Sequence, residues 1–328
     1  MPVYNQATTV AKAIESVVAQ QCSVPFELII ADDFSTDGTR EILNEYLNRY
    51  PNIIRLIENP SNFGLITNYY NAVKTAKGDY LCDLGGDDIW VDTRKLQSQY
   101  EVLENNDDVA LVHTDWAFYN FANNSMQSPW HSSRYPYPTS AEANQLTPML
   151  IAHPSPTAIH MSTAMYRRRD FETLYEEYPV AFNNKEFVVE DLQLIVLLST
   201  MGRVVFINRI TLYYGVTGKN MTSQTDAVST FDVYFGAMKL THYLQDVLKI
   251  ENSVLQPVYE RFYHFLLMQA FHSESNERRV ALQAEAQQWN FKPLLKSSIV
   301  YITMSNKYIW RPTRLFWNIF RKVKKKKK

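Results

Sequence analysis

Cysteine is scarce: Cys22 and Cys82 are the only two in 328 residues. A disulfide framework is therefore excluded as the source of stability. Both thiols lie inside apolar patterns and are expected to be reduced core residues. Long apolar runs are also missing. A segment such as Leu192–Leu198 falls far short of the roughly 20 residues that span a bilayer. The first residues lack the basic, apolar, small-residue layout of a secretory leader, so a cytoplasmic location is expected. Internal repeats and Gly/Ser linkers are absent, which argues against a solenoid or a loosely tethered pair of domains. Acidic residues stop at Glu285, while Lys and Arg continue to a terminal run, Lys324–Lys328. The formal net charge of -1 thus joins a mildly acidic body to a strongly basic tail.

What is present suffices for a large core, with 46% hydrophobic and 13% aromatic residues. Thr8 or Thr9 can cap a helix whose Val10, Ala13, Ile14, Val17 and Val18 share one face. "FELIIADD" predicts a buried strand, and a helix over 39–50 follows. "NIIRLIEN" is a second strand, "NPSNFG" a polar loop, and "LITNYYNAVKTAKG" a helix stopped at Gly78. "DYLCDL" is the next strand. Alternation of this kind predicts βαβ units and a mostly parallel sheet, with ligands at the carboxyl ends of strands. Two predicted strand ends carry acidic pairs, Asp32-Asp33 and Asp87-Asp88. Residues 114–187 look irregular and suit a variable binding surface. "EFVVEDLQLIVLLSTMG" predicts a helix with Glu190 and Asp191 near its start. "RVVFINRITLYYG" predicts two short strands, and long helices follow from about residue 230.

Five pieces in this order, "MPVYNQATTVAKAIESVVAQ", "FELIIADDFSTDGT", "NFG…AKGDY", "GGDDIW" and "VVEDLQL", resemble the family 2 glycosyltransferases. The resemblance covers roughly residues 1–220 and implies a GT-A fold: a Rossmann-like, mostly parallel central sheet that binds a nucleotide-sugar. A helical extension over 221–300 and a basic segment over 301–328 would follow. The family usually has a strand directly before "MPVYN", so the N-terminus is expected to be truncated or its start misplaced. By resemblance, Pro2, Tyr4, Asp33, Asn62, Gly64, Gly86 and Asp87 bind the donor, and a carboxylate such as Asp33 can accept a base N–H. "GGDDIW" stands where the family has its acidic metal motif, which makes Asp87 the first candidate ligand of Mg²⁺ or Mn²⁺ and Asp88 the supporting partner in that metal site. The usual first acid falls at Gly85. The family's Tyr-Arg-x-His is also altered, to Gly215 and Thr217, with Lys219 nearby as a phosphate contact. Asp191, supported by Glu190, matches the general base of inverting transfer. Either acid would otherwise read as an ordinary first-turn helix residue. His153 is a candidate acceptor-pocket residue, and Trp116 and Trp130 are candidates for stacking on an acceptor sugar.

The closing "RPTRLFWNIFRKVKKKKK" predicts a basic amphipathic helix. Leu315, Phe316, Ile319 and Phe320 would meet an anionic membrane, and Lys324 would begin its charged end. Nucleic acid is not the expected partner. The resulting expectation is a sugar transferase for surface polysaccharide (capsule or lipopolysaccharide), acting on a glycan or lipid-linked acceptor at the inner face of the plasma membrane. Its rival is a non-catalytic nucleotide- or glycan-binding subunit. A nucleotidyltransferase is disfavoured because "MPVYNQATT" lacks a Gly-rich, Lys/Arg-bearing phosphate loop.

Overall fold

The computed structural model describes residues 1–121, 123–129, 138–152, 158–216, 226–289, 291–306 and 308–313. The chain forms two compact units, Met1–Asn220 and Met221–Lys328.

The first unit is α/β. Strands β1 (Pro2–Val3), β2 (Leu28–Asp32) and β3 (Ile54–Glu58) form a parallel sheet in the order β1-β2-β3. Helix α1 (Val10–Val18) follows β1, α2 (Thr39–Arg49) follows β2, and α3 (Leu65–Val73) follows β3. The apolar face expected of α1 is the buried one: Val10, Ala13, Ile14 and Val17 pack into the core. Thr9 holds the cap position, yet its hydroxyl donates back to the Gln6 carbonyl rather than capping the helix.

The second sheet contains β4 (Tyr80–Cys82), β5 (Ile89–Trp90), β6 (Val109–Asn120), β7 (Ser125–Pro129), β8 (Ser140–Ala141), β9 (Met165–Arg167) and β10 (Arg203–Val216). Its order is β4-β9-β6-β10-β5, with β7 on β6 and β8 on β10. Only β6 and β10 run parallel here; the other pairs are antiparallel. The α/β class therefore stands, while the single parallel sheet resolves into one parallel and one mixed sheet. An apolar cavity of about 560 Å³ explains the separation. Met1, Leu28 and Ile29 line one side and Tyr80, Leu81 and Cys82 the other, so no strand among the described residues bridges β1 and β4.

Two boundaries differ from expectation. The stretch after Thr114 is not irregular at first, since β6 continues to Asn120 and buries His113, Thr114, Asp115 and Trp116. Polar residues mask this strand because its hydroxyls and carboxylate are paired locally, as between Thr114 and Thr211 at 2.6 Å. The two short strands after Gly202 are one, β10, whose pairing with β6 absorbs the polar "NR" through register shifts between Ile207 and Leu212.

Between β4 and β10 the unit also holds α4 (Lys95–Glu104), α5 (Thr147–Ala152), a 3₁₀ turn (Met161–Thr163), α6 (Arg168–Glu177), α7 (Pro179–Asn183) and α8 (Leu192–Met201). The second unit contains α9 (Ala227–Leu248), α10 (Asn252–His272), α11 (Asn276–Gln288) and α12 (Leu295–Ser305). Asp226 and Ser275 cap α9 and α11 by accepting the amides of Ser229 and Arg278. The tail residues Leu315, Phe316, Ile319, Phe320 and Lys324 lie outside the described residues, as do Trp130, His153, Thr217 and Lys219.

Candidate active site

The carboxyl ends of the first three strands are laced together by side chains. Asn5 turns the chain after β1 with a left-handed φ of 52°. Its amide donates to Ser35 Oγ at 2.9 Å, and its Oδ1 accepts the Thr36 amide at 2.8 Å. The Gln6 amide donates to Thr39 Oγ1 at 2.9 Å. Asp32 is buried and accepts Arg40 Nε at 2.6 Å, so it is a structural acid. Asp33 is buried too, and three donors surround it. Oδ1 accepts Asn59 Nδ2 at 2.9 Å and the Phe63 amide at 2.8 Å, while Oδ2 accepts the Gly64 amide at 2.9 Å. It thereby fixes the loop of Asn62 and Gly64. Gly64 takes a left-handed φ of 82°, which a glycine reaches without strain. Asn62 is exposed, with Oδ1 on the Gly64 amide at 3.1 Å. Pro2 is half-buried in β1, and Tyr4 stands exposed at its end. Phe34, beside Arg40 at 5.0 Å, is exposed at the same rim and was not singled out from the sequence.

The acidic pair after β4 is divided by its environment. Asp83 is not a member: buried, it accepts the hydroxyls of Tyr69 at 2.7 Å and Tyr166 at 3.1 Å, which ties α3 to β9. Asp87 is half-buried and hydrogen-bonds the Gln6 side chain. A side chain on Gly86 would collide with Gln6 Oε1, so glycine there is what lets Gln6 reach Asp87. Asp88 is buried, with Oδ2 accepting Ser162 Oγ at 2.9 Å and Oδ1 accepting the Gly215 amide at 3.1 Å. Burial, and then the charge of Asp87, push Asp88 well above the usual carboxylate range; the Gly215 and Ser162 donors act against the shift. Burial also raises Asp87.

Sequence spacing gave no hint of Ser162. The 3₁₀ turn that carries it is gripped from two sides. Trp90 Nε1 donates to the Ser162 carbonyl at 2.9 Å, and Gln99 Nε2 donates to the Thr163 carbonyl at 2.8 Å. Lys95 is fully buried, bonded to Gln99 Oε1 at 2.7 Å and set 4.3 Å from the Trp90 ring centre. His160 Nδ1 accepts the Ser162 amide at 3.2 Å, and burial lowers His160 to about 4, which keeps its ring neutral. Trp116 is buried against Phe118, His160 and Tyr214. It is therefore a core residue rather than a sugar-stacking one, because its ring faces lie against the strand's own neighbours.

Gly215 changes meaning in this setting. A Cβ there would overlap the Asp87 carbonyl oxygen and sit 2.5 Å from Phe121 Cε2. The glycine is what allows β10 to bring an amide onto Asp88. Gly215→Ala is expected to destabilise the unit by about 1–3 kcal/mol through overpacking. Gly85→Ala, whose closest neighbour is Asp87 Oδ1 at 3.0 Å, should cost less. Urea midpoints of the two variants, compared with the parent, check this order.

Glu190 and Asp191 precede α8 rather than starting it, because Val188 breaks the chain direction with a left-handed φ of 67°. Asp191 occupies the cap position without a side-chain capping hydrogen bond. A capping role, the ordinary reason for an acid at that place, is thus not the one it performs. Tyr70 OH donates to the Glu190 carbonyl at 2.6 Å and anchors the segment to α3. Burial, and then the charge of Asp191, push Glu190 up to about 8, with smaller contributions from Asp83 and Asp87. Asp87 and the Glu190-Asp191 segment are therefore close enough to feel each other's charge.

This shift has a sign that can be tested. Folded Glu190 holds its proton to about 8 against an ordinary 4.5. The folded state binds more protons across that window, so its stability falls as pH rises from about 4.5 to 8. Glu190→Gln is expected to flatten that part of the profile and to raise the melting temperature at pH 8–9 but not at pH 4.5, as read by thermal unfolding across pH.

The site so assembled comprises a rim at the ends of parallel strands, an acidic pair joined to it through Gln6, and a second acidic pair on a separate segment. That is the layout of a GT-A nucleotide-sugar site. The family model described as Glycosyl transferase family 2 matches residues 1–175, more than half of the chain, and the chain belongs to that family. The uncharacterized protein Rv1520 of Mycobacterium tuberculosis is 38% identical over 108 residues, 33% of this chain and 31% of that protein. The putative glycosyltransferase EpsE of Bacillus subtilis is 37% identical over 114 residues, 35% of this chain and 40% of that protein. The chain thus spans less than half the length of either relative. Among solved structures, S. aureus TarS 1-349 in complex with UDP-GlcNAc superposes with a TM-score of 0.56 at 18% identity, covering 94% of this chain and 81% of that one. Mannosyltransferase PcManGT from Pyrobaculum calidifontis, in complex with GDP-Man and Mn²⁺, gives 0.52 at 14% identity, covering 96% and 85%. These likenesses show the fold.

Proposed function

We propose that this chain transfers a sugar, with inversion, from a nucleotide-diphosphate donor to a glycan or lipid-linked acceptor during surface-polysaccharide assembly. The observation that carries this reading is that Glu190, beside Asp191, feels the charge of Asp87 from a separate segment, in a chain whose Asp33 follows a strand of the parallel sheet. Asp33, Tyr4 and the Asn62–Gly64 loop hold the base and ribose end. The acceptor oxygen attacks the anomeric carbon, its proton passes to Asp191, and the bond to the diphosphate breaks with the electron pair leaving on oxygen. Glu190, raised to about 8 by burial and then by the charge of Asp191, supports that residue as its neighbour.

A divalent ion fits the donor set, which is of hard oxygens. Asp87 is half-buried at the crevice, while Asp88 spends both oxygens on Ser162 and Gly215. Asp87 would hold Mg²⁺ or Mn²⁺ directly and Asp88 would hold the loop in place. Among the described residues no third His, Cys, Asp or Glu joins them, so donor phosphates and water would complete the shell. When bound, the ion would neutralise the charge that develops on the leaving diphosphate.

One named relative supports a polymer acceptor: a poly(ribitol-phosphate) beta-glucosyltransferase of Bacillus spizizenii is 31% identical over 113 residues, 34% of this chain and 18% of that protein. No described helix is long and apolar enough to cross a membrane. The basic tail, including Leu315, Phe316, Ile319, Phe320 and Lys324, would hold the protein peripherally at the inner face of the plasma membrane. The deciding experiment is to incubate the chain with Mn²⁺ or Mg²⁺ and a panel of nucleotide sugars and follow nucleoside diphosphate release. Silence with every donor, even with membrane extract as acceptor source, would favour a non-catalytic binding subunit.

A further inference from the structure

We propose that the outer face of α12, together with helical residues 308–313, is a docking surface for an anionic lipid bilayer. The two faces of α12 do different things. Ser297 and Met304 are buried, Ser297 Oγ lies 3.1 Å from His264 Nδ1, Arg279 stacks on Tyr301 at 4.3 Å, and Arg279 donates to Ser305 Oγ at 3.0 Å. That face joins α12 to α10 and α11. About half a turn away, at 3.6 residues per turn, Leu295, Ile299 and Ile302 form a stripe at i, i+4 and i+7. They are 77%, 55% and 67% exposed. Tyr308 and Ile309, 78% and 53% exposed, add further apolar surface beyond the helix end. A scattered exposed leucine needs no explanation, but a periodic stripe opposite a satisfied face does.

Charge selects the occupant. Lys292, Lys296 and Arg311 are exposed around this stripe. After Glu285 there is no Asp or Glu to the last residue, Lys328, and the basic residues continue through Lys324–Lys328. A second copy of the same face would bring like charges together, whereas an anionic headgroup layer meets both the apolar stripe and the lysines. The inference deepens the membrane reading above and rests on it. It does not depend on the sugar-transfer chemistry.

The test is flotation of the full chain with vesicles of phosphatidylcholine, with or without phosphatidylglycerol. The parent protein is expected to float with the anionic vesicles only and to be released by salt. The triple variant Leu295→Gln, Ile299→Gln, Ile302→Gln alters exposed positions, so circular dichroism should match the parent, and its partitioning should fall about tenfold or more. Deletion of 314–328 in both backgrounds separates the tail from this face: the triple variant must still bind more weakly than its matched parent. Equal flotation of parent and variant, no flotation of the parent, or a dimer in sedimentation that the variant converts to monomer would each overturn the proposal. Diphosphate release with a water-soluble acceptor should be unchanged in the triple variant. Its absence in both proteins alongside normal flotation would instead remove the sugar-transfer reading alone.

Discussion

Asp191→Asn is expected to lower sugar transfer by about 10²–10⁴-fold, the usual contribution of a positioned general base. Donor binding should hold within about twofold, because the proposed donor contacts are at the Asp33 rim and the Asp87 pair rather than at Asp191. Asparagine keeps the shape of the side chain and is itself a good residue at a helix cap, so the fold should tolerate it. The measurement is initial-rate kinetics of diphosphate release alongside calorimetric titration of the donor. A parent-like rate would reassign the proton acceptor, and Glu190→Gln would then be the variant to examine. A collapse of donor affinity would mean that the Glu190-Asp191 segment shapes the donor pocket instead.

Asp87→Asn and Asp88→Asn are expected to fail in different ways, although the residues are adjacent and chemically identical. Asp87 is half-buried and held by Gln6, so its loss should cut Mn²⁺ affinity by about tenfold or more, with little change in stability. Asp88 accepts from Ser162 and Gly215 within the protein. Asparagine can meet the Gly215 N–H with its oxygen by turning its amide nitrogen to Ser162, whose hydroxyl must then accept rather than donate. Asp88→Asn should therefore cost about 1 kcal/mol of stability, whereas Asp88→Ala, which leaves the Gly215 N–H unpaired, should cost about 1–3 kcal/mol. Mn²⁺ titration followed by electron paramagnetic resonance gives the first quantity, and urea unfolding gives the second. Equal metal affinities in the two variants would remove the distinction between ligand and support. Ser162→Ala, which deletes one of the two donors to Asp88, should resemble a mild Asp88→Asn.

How much of this was legible in the chain depends on the range of the interaction involved. Strands β2 and β3 and the helices α1 to α3 follow from apolar periodicity, whereas β1 has no signal in that pattern and α3 ends at Val73 rather than at Gly78. Asp33 directly follows β2 as expected, while Asp87 lies in the turn between β4 and β5. The long strand β6 was hidden, because Thr114 and Asp115 look polar until Thr211 and the neighbouring strands pair them. Trp116 reads equally well as a stacking platform or as core, since aromatic character does not reveal what covers the ring. Gly215 was legible only as a departure from Tyr-Arg-x-His. In the fold it is a close-approach glycine whose amide serves Asp88.

Taken alone, the sequence determined the family, the α/β class, the identity of the acidic pairs and the basic character of the tail. Each of these is written in residues near one another, where spacing and chemistry suffice. The tertiary structure decided how Asp88 is held, by Ser162 and the Gly215 amide, and which face of α12 is left exposed. These depend on residues from 74 to 127 positions apart meeting in space, or on which side of a helix is left uncovered. Neither property has a local signal, because burial is set by what the rest of the chain packs against.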